Sequence, residues 1–135
     1  MAFQGQLSIS GRTYGVVECS YDFEQSRDDT GKPSSRTRGG AITFVIPSPS
    51  DDDLFFYNWM FNKTQVYDGV FSFCVYTSHN RQSYKTVAFT NAYCVSLRDY
   101  FNDQDSRLMY TTITISAEKI SIGKGGGALF TNDWA

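Results

Sequence analysis

The chain is poor in the side chains that most chemistry requires. It has one histidine, His79, among 135 residues, so any Ser-His-Asp or Cys-His arrangement has to use it. His79 sits in the polar stretch Ser78-His79-Asn80-Arg81-Gln82, which reads as a turn between two strands. Cysteine is scarce too. Cys19, Cys74 and Cys94 are odd in number and form no Cys-x-x-Cys, which argues against a disulfide framework or a zinc site. Each lies in a strand-like run and reads as a small buried side chain. Charge is sparse and nearly balanced, with 12 basic and 14 acidic residues and a net charge of −2, so nothing pulls the chain toward nucleic acid or anionic lipid. No apolar run reaches the roughly 18–20 residues of a membrane helix, so no membrane insertion is expected. The opening Met-Ala-Phe-Gln-Gly-Gln has no basic segment followed by an apolar core, and no Sec-type signal is expected either.

Aromatic residues are what the chain does have: 11 Phe, 9 Tyr and 2 Trp, within a 41% hydrophobic composition. That is enough for one domain with its own core and is incompatible with disorder. The apolar residues recur with period two, as in strands with one buried and one wet face. Phe3 to Ile9 reads as a first strand closed by Ser10-Gly11-Arg12. A second has Val17, Cys19, Tyr21 and Phe23 inward and Glu18, Ser20, Asp22 and Glu24 outward. Arg27 to Arg38 breaks the pattern with turn-forming residues and mixed charge. Ile42, Phe44 and Ile46 resume it, until Pro47 and Pro49 end the strand.

One helix is expected next. Ser50 is placed to cap it, and Asp51, Asp52 and Asp53 suit the positive end of its dipole. Leu54, Tyr57 and Phe61 form one stripe, and Phe55 with Trp59 a neighbouring one. This is a wider apolar surface than one sheet face covers, so a second contact is expected, such as another subunit. Three long strands follow. Phe71, Phe73 and Val75 alternate in the first, and Val87, Phe89, Tyr93, Val95 and Leu97 in the second. In the third, Met109, Ile113, Ile115 and Ala117 alternate with Tyr110, Thr112, Thr114, Ser116 and Glu118. Residues 124–135 read as a flexible Gly-rich tail with an aromatic end. The sum is a mainly β fold, about six antiparallel strands and one flanking helix in the order β-β-β-α-β-β-β, forming a small barrel or sandwich over residues 1–123.

Motifs for catalysis or cofactors are missing. Gly123-Lys124-Gly125-Gly126-Gly127 lacks the spacing of a P-loop, and Asp103-Gln104-Asp105 lacks the glycine and distal glutamate of a calcium loop. Asn62-Lys63-Thr64 matches a glycosylation sequon, which means little without a secretory signal. Base stacking on an OB-like sheet needs cations beside the aromatics, whereas the wet faces here are Thr, Ser, Asp and Glu. The residues by themselves therefore describe an interaction or structural module with no enzymatic activity and no cofactor. A monomeric ligand-binding β-barrel remains an alternative, and a carboxylate hydrolase a remote third.

Several stretches resemble the tube protein of the type VI secretion system, the haemolysin-coregulated protein family in its TssD branch. They are Gly11-Arg12-Thr13-Tyr14 with Cys19-Ser20-Tyr21, Asp29-Thr30-Gly31-Lys32-Pro33-Ser34-Ser35 leading to Gly39-Gly40, and Leu54-Phe55 with Trp59-Met60. Asn91-Ala92-Tyr93-Cys94-Val95 and Thr114-Ile115-Ser116-Ala117-Glu118-Lys119-Ile120-Ser121-Ile122-Gly123 complete the set. The match covers residues 1–123 and leaves the tail outside it. The resemblance implies a small β-barrel with one helix, similar to phage tail-tube proteins. It implies homohexameric rings stacked into a tube, driven by a contractile sheath and tipped by a spike. Partners would be spike, sheath and baseplate proteins, with effector cargo in the lumen or on the spike. Assembly would be cytoplasmic, followed by secretion from a Gram-negative bacterium without a cleaved signal peptide.

On that expectation, Leu54, Phe55, Trp59 and Phe61 are candidates for the subunit interface, which must join two different patches to close a ring. The loop carrying Arg27, Asp28, Asp29, Lys32, Arg36 and Arg38 is the candidate for a weaker contact between rings, where charge sets register more than strength. Ser20, Asp22, Thr112, Thr114 and Ser116 are candidates for a polar lumen.

Overall fold

The structure, a computed structural model, describes residues 4–76, 79, 81–104, 108–132 and 134. Expectations on Phe3, Ser78, Asn80, Asp105 and Arg107 lie outside the described residues. Eight strands are described: β1 Gly5–Ile9, β2 Arg12–Val16, β3 Glu18–Tyr21, β4 Ala41–Pro47, β5 Tyr67–Tyr76, β6 Gln82–Phe101, β7 Met109–Ile122 and β8 Ala128–Thr131. One α-helix, α1 Phe55–Phe61, lies between β4 and β5.

All pairings are antiparallel, in the order β2-β1-β5-β6-β7-β4-β3, with β8 added beside β7. The two ends of that order, β2 and β3, are consecutive in the chain and joined by Val17 alone, whose N–H donates to the Val45 carbonyl at 2.9 Å. The sheet therefore curls until its ends meet, a half-barrel whose terminal strands are covalently linked. That is one solution to the problem of open strand edges. The expected mainly β fold with one flanking helix is present. Eight strands are described where about six were expected, because β2 and β8, five and four residues long, are too short to carry a run of period-two alternation. Ser10 and Gly11, with φ of 50° and 75°, make a two-residue turn of the type that joins hairpin strands, so β2 pairs back on β1. At the other end, residues 128–131 are paired with Lys119–Ile122 and do not form a free tail.

The inside of the curl is filled by Leu7, Ile9, Ile42, Phe44, Ile46, Phe71, Val87, Phe89, Ile113, Ile115 and Ile120, with Phe56 and Trp59 from α1. Aromatic rings run through it in contact: Tyr14 with Phe56 (4.7 Å), Phe44 with Phe71 (5.1 Å), Phe71 with Phe89 (5.6 Å) and Trp59 with Tyr67 (5.2 Å). Burial of each such side chain contributes about 1.5–3 kcal/mol, so this cluster dominates the stability of the fold.

The alternation is not uniform along the longest strand. Asn91 takes φ of 53°, and β6 places both Thr90 and Asn91 opposite Asp68 of β5, a β-bulge. The extra residue moves the inward set from Val87 and Phe89 to Ala92 and Cys94. Tyr93 and Val95, expected inside, consequently face out, Val95 being exposed. Asp68 holds the bulge by accepting the Asn91 N–H at 2.8 Å.

Candidate functional site

The helix begins later than its sequence indicates. Leu54 occupies the N-cap position without a capping side chain, and no acidic residue lies in the first turn. Asp51 and Asp52 form a turn ahead of it, and Ser50 contributes only its carbonyl, which accepts the Asp53 N–H. Asp53 is drawn elsewhere. It accepts from Arg12 Nη1 at 3.0 Å and from Tyr14 Oη at 2.9 Å on β2, and from the Phe55 N–H at 3.2 Å. The Arg12 guanidinium also lies over the Phe55 ring, 5.2 Å from its centre. A carboxylate read as a dipole partner is thus a tie between the start of the helix and a strand about forty residues earlier. Burial, reinforced by the bond to Asp53, pushes the Tyr14 hydroxyl up to about 12.

A second tie holds the other side of α1. Tyr57 donates to Asp99 Oδ2 at 2.6 Å, Thr111 donates to Asp99 Oδ1 at 2.6 Å, and Ser48 meets the Thr111 hydroxyl at 2.5 Å. Since the single proton of Thr111 goes to Asp99, Ser48 is the donor to Thr111. Thr111 is fully buried, so this chain of bonds is what makes an inward hydroxyl tolerable.

The four helix residues proposed for an interface separate into two groups. Trp59 is 1% exposed, and its Nε1–H donates to the Gln65 carbonyl at 3.1 Å. Phe55 is half-buried against Tyr67, Phe56 and Trp59. Leu54 and Phe61 stand out from the surface, 51% and 81% exposed. Phe56, missed in the sequence, is the second buried anchor, because the buried face of this short helix is the 56–59 line. Trp59 and Phe55 therefore serve the core of their own chain, and only Leu54 and Phe61 are free to meet another molecule.

The loop between β3 and β4 is an ordered arm. Glu24 and Arg38 exchange backbone bonds of 2.9 and 2.6 Å, and Arg27 bridges to Pro33, so the chain runs out and back as an irregular ribbon. Asp28 shapes its tip. One carboxylate oxygen accepts the Thr30 N–H (2.9 Å), the Thr30 hydroxyl (2.8 Å) and the Lys32 N–H (3.0 Å). The Thr30 hydroxyl bond, followed by that of the Lys32 amide, holds the Asp28 carboxyl below the usual carboxylate range. Arg38 Nη2 donates to Ser26 Oγ at 2.8 Å. Asp28 and Arg38 thus build the arm itself, while Arg27, Asp29, Lys32 and Arg36 are exposed along it.

The wet residues also gather. Ser20 pairs with Thr43, and Thr43 with Thr114, whose hydroxyls lie 2.9 Å apart. Thr112, Thr114 and Ser116 share the outer face of β7, opposite the inward Thr111, Ile113, Ile115 and Ala117. Asp22 lies past the end of β3, at the root of the arm. Beside this hydroxyl row, Val17, Glu18, Val45, Arg98, Tyr100, Tyr110 and Thr112 line an open groove of about 470 Å³. The remaining candidates for chemistry are placed blandly. His79 is exposed in a turn, and the Cys19 and Cys94 thiols are pushed up to about 11 by burial, so both stay protonated near neutrality. Among the described residues no cluster of three His, Cys, Asp or Glu could hold a metal ion.

A curled antiparallel sheet with one short helix and a projecting arm defines a class of small half-barrel β protein. The family model for Hemolysin coregulated protein Hcp (TssD) matches residues 1–135, so it includes the C-terminal segment, and the chain belongs to this family of type VI secretion tube proteins. Among solved structures, Hcp1 from Flavobacterium johnsoniae is 35% identical, with a TM-score of 0.80 over 96% of this chain and 100% of that one. The Hcp1 protein of the E. coli EAEC 042 pathovar shares the fold at 15% identity, with a TM-score of 0.73 over 99% of this chain and 100% of that one. The sheath-tube complex of an extracellular contractile injection system, PVC, contains a chain of similar fold at 16% identity and a TM-score of 0.56, over 91% and 90% of the two chains. No curated protein matches the chain.

Proposed function

We propose that six copies of this chain close into a ring, and that the rings stack into the inner tube of a type VI secretion apparatus. A contractile sheath propels this tube, carrying effectors in its lumen or on the spike at its tip. The rings form in the cytoplasm, on a baseplate, and leave through the apparatus. The observation that carries the reading is the family match along the whole chain, joined by 35% identity to an Hcp1 protein.

The geometry supports particular roles. Leu54 and Phe61 supply an apolar patch for the neighbouring subunit in a ring. The arm, with Arg27, Asp29, Lys32 and Arg36 outward, supplies a charged contact between rings, suited to register more than to strength. The row of Ser20, Thr43, Thr112, Thr114 and Ser116 supplies a hydroxyl-lined lumen that neither grips nor repels cargo strongly.

The test separates ring from tube. Arg27→Asp with Arg36→Asp is expected to leave hexamers intact by native mass spectrometry and to abolish tubes in negative-stain images. Tubes growing at the wild-type rate would remove the arm from the contact between rings.

A further inference from the structure

The C-terminal segment touches both roots of the arm. On the outgoing side, the Phe130 ring of β8 lies 5.1 Å from the ring of Phe23, just before the arm begins. On the returning side, Asn132 Nδ2 donates to the Gly39 carbonyl at 3.2 Å and to the Ala117 carbonyl at 2.9 Å. The same segment is anchored on the sheet by the Asn132 N–H, which donates to the Glu118 carbonyl at 2.7 Å. The roots are built to receive it. Gly39 lies against the Phe23 ring, where a Cβ would collide, and Gly40 takes φ of 98° with the Asn132 amide where its Cβ would be. Next to these contacts Phe23 and Thr37 face Ile120, Ile122, Leu129 and Phe130 across a cleft of about 280 Å³, so the arm's base has room to pivot once the contacts are lost.

We propose that β8 with Asn132 is a strap that fixes the direction in which the arm leaves the sheet, through Phe130 on one root and Asn132 on the other. The arm's own hydrogen bonds hold the ribbon together, and the Ala117 N–H of β7 donates to the Gly40 carbonyl at 2.8 Å on the returning root; the contacts of Phe130 and Asn132 add a tie from the C-terminal segment to each of the two roots. A change at the C-terminus is thereby transmitted to the arm without either end touching a shared ligand. The consequence for assembly rests on the reading of the arm given above: a loosened strap leaves ring closure alone and slows stacking.

The experiment is hydrogen exchange on the full chain carrying Asn132→Ala, alone and with Phe130→Ala. Trp134→Ala is the control, since Trp134 lies against Tyr93, 5.5 Å between ring centres, its one ring contact among the described residues. Losing the two Asn132 bonds is expected to speed exchange of the Glu24 and Arg38 amides about tenfold, with the β4–β7 ladder and the Trp134→Ala protein unchanged. Unchanged arm amides overturn the strap. So does acceleration that is equal throughout the sheet, or equal in Trp134→Ala, because β8 would then act only as one more strand. Tube growth is recorded on the same proteins. A loosened arm with normal tubes upholds the strap and removes the arm's stacking role, so the two ideas fail separately.

Discussion

Trp59 and Phe61 lie two residues apart on one helix and should fail in opposite ways. Trp59 is 1% exposed within its own chain and Phe61 is 81% exposed. Replacing Trp59 by Ala empties a site bounded by Phe55, Phe56 and Tyr67 and leaves the Gln65 carbonyl without its donor. A cavity of that kind costs about 3–5 kcal/mol. Asp there adds a buried, unpaired carboxylate, and the fold should be lost near room temperature. Phe61→Asp, on the surface, should change monomer stability by less than about 0.5 kcal/mol. At a subunit contact it removes about 2 kcal/mol of apolar burial from each junction, roughly a 30-fold weakening. Circular dichroism with thermal melts reads the first effect, and native mass spectrometry across a dilution series reads the second. Phe61→Asp rings as persistent as wild type on dilution would place this helix outside the subunit contact. A well-folded Trp59→Asp protein would contradict the core assignment.

The remaining predictions concern the ties that orient the helix. Asp53→Ala removes three accepted bonds and should lower stability by about 2 kcal/mol, a fall in Tm of about 7 °C for a chain of this size. Asp53→Asn should recover part of this in the same melts. Thr111→Val breaks the Ser48–Thr111–Asp99 chain and should cost about 1–3 kcal/mol in urea unfolding. An effect below 0.5 kcal/mol would mean that the buried hydroxyl is incidental. The Tyr14 hydroxyl, raised to about 12, should contribute its full share of stability below pH 10, where an unfolded tyrosine is still protonated, and lose that share as pH rises through 12. After discounting for solvent screening, the wild-type protein should lose about 1 kcal/mol more than Tyr14→Phe over that interval. Parallel stability curves would refute the shift.

Much of this architecture was legible because strict alternation leaves little choice of face. On β4 and on β7 from residue 111 to 117, the inward residues are those the period dictates. Legibility ended where a single backbone event changed the phase. Asn91 in the left-handed region inserts one residue into β6, and every face assignment up to the next irregularity, between Cys94 and Ser96, inverts. The helix start was misread for a different reason. Three aspartates before an apolar run look like a dipole partner set, but the partners of Asp53, Arg12 and Tyr14, are 41 and 39 residues away and leave no local trace. Likewise, Gly-rich residues 123–127 read as a loose tail. Their flexibility serves to reverse the chain so that Ala128–Thr131 can pair with β7. The arm was recognisable as a break in periodicity, and its charges as a possible contact. That Asp28 and Arg38 are spent on building it emerged only from its hydrogen bonds.

A native mass of the purified full chain tests the central claim most directly. The account predicts a ring of six, about 91 kDa from a 15.2 kDa chain, with a central hole in the microscope. A species that stays at 15.2 kDa at high concentration, with no annular particles, would contradict it.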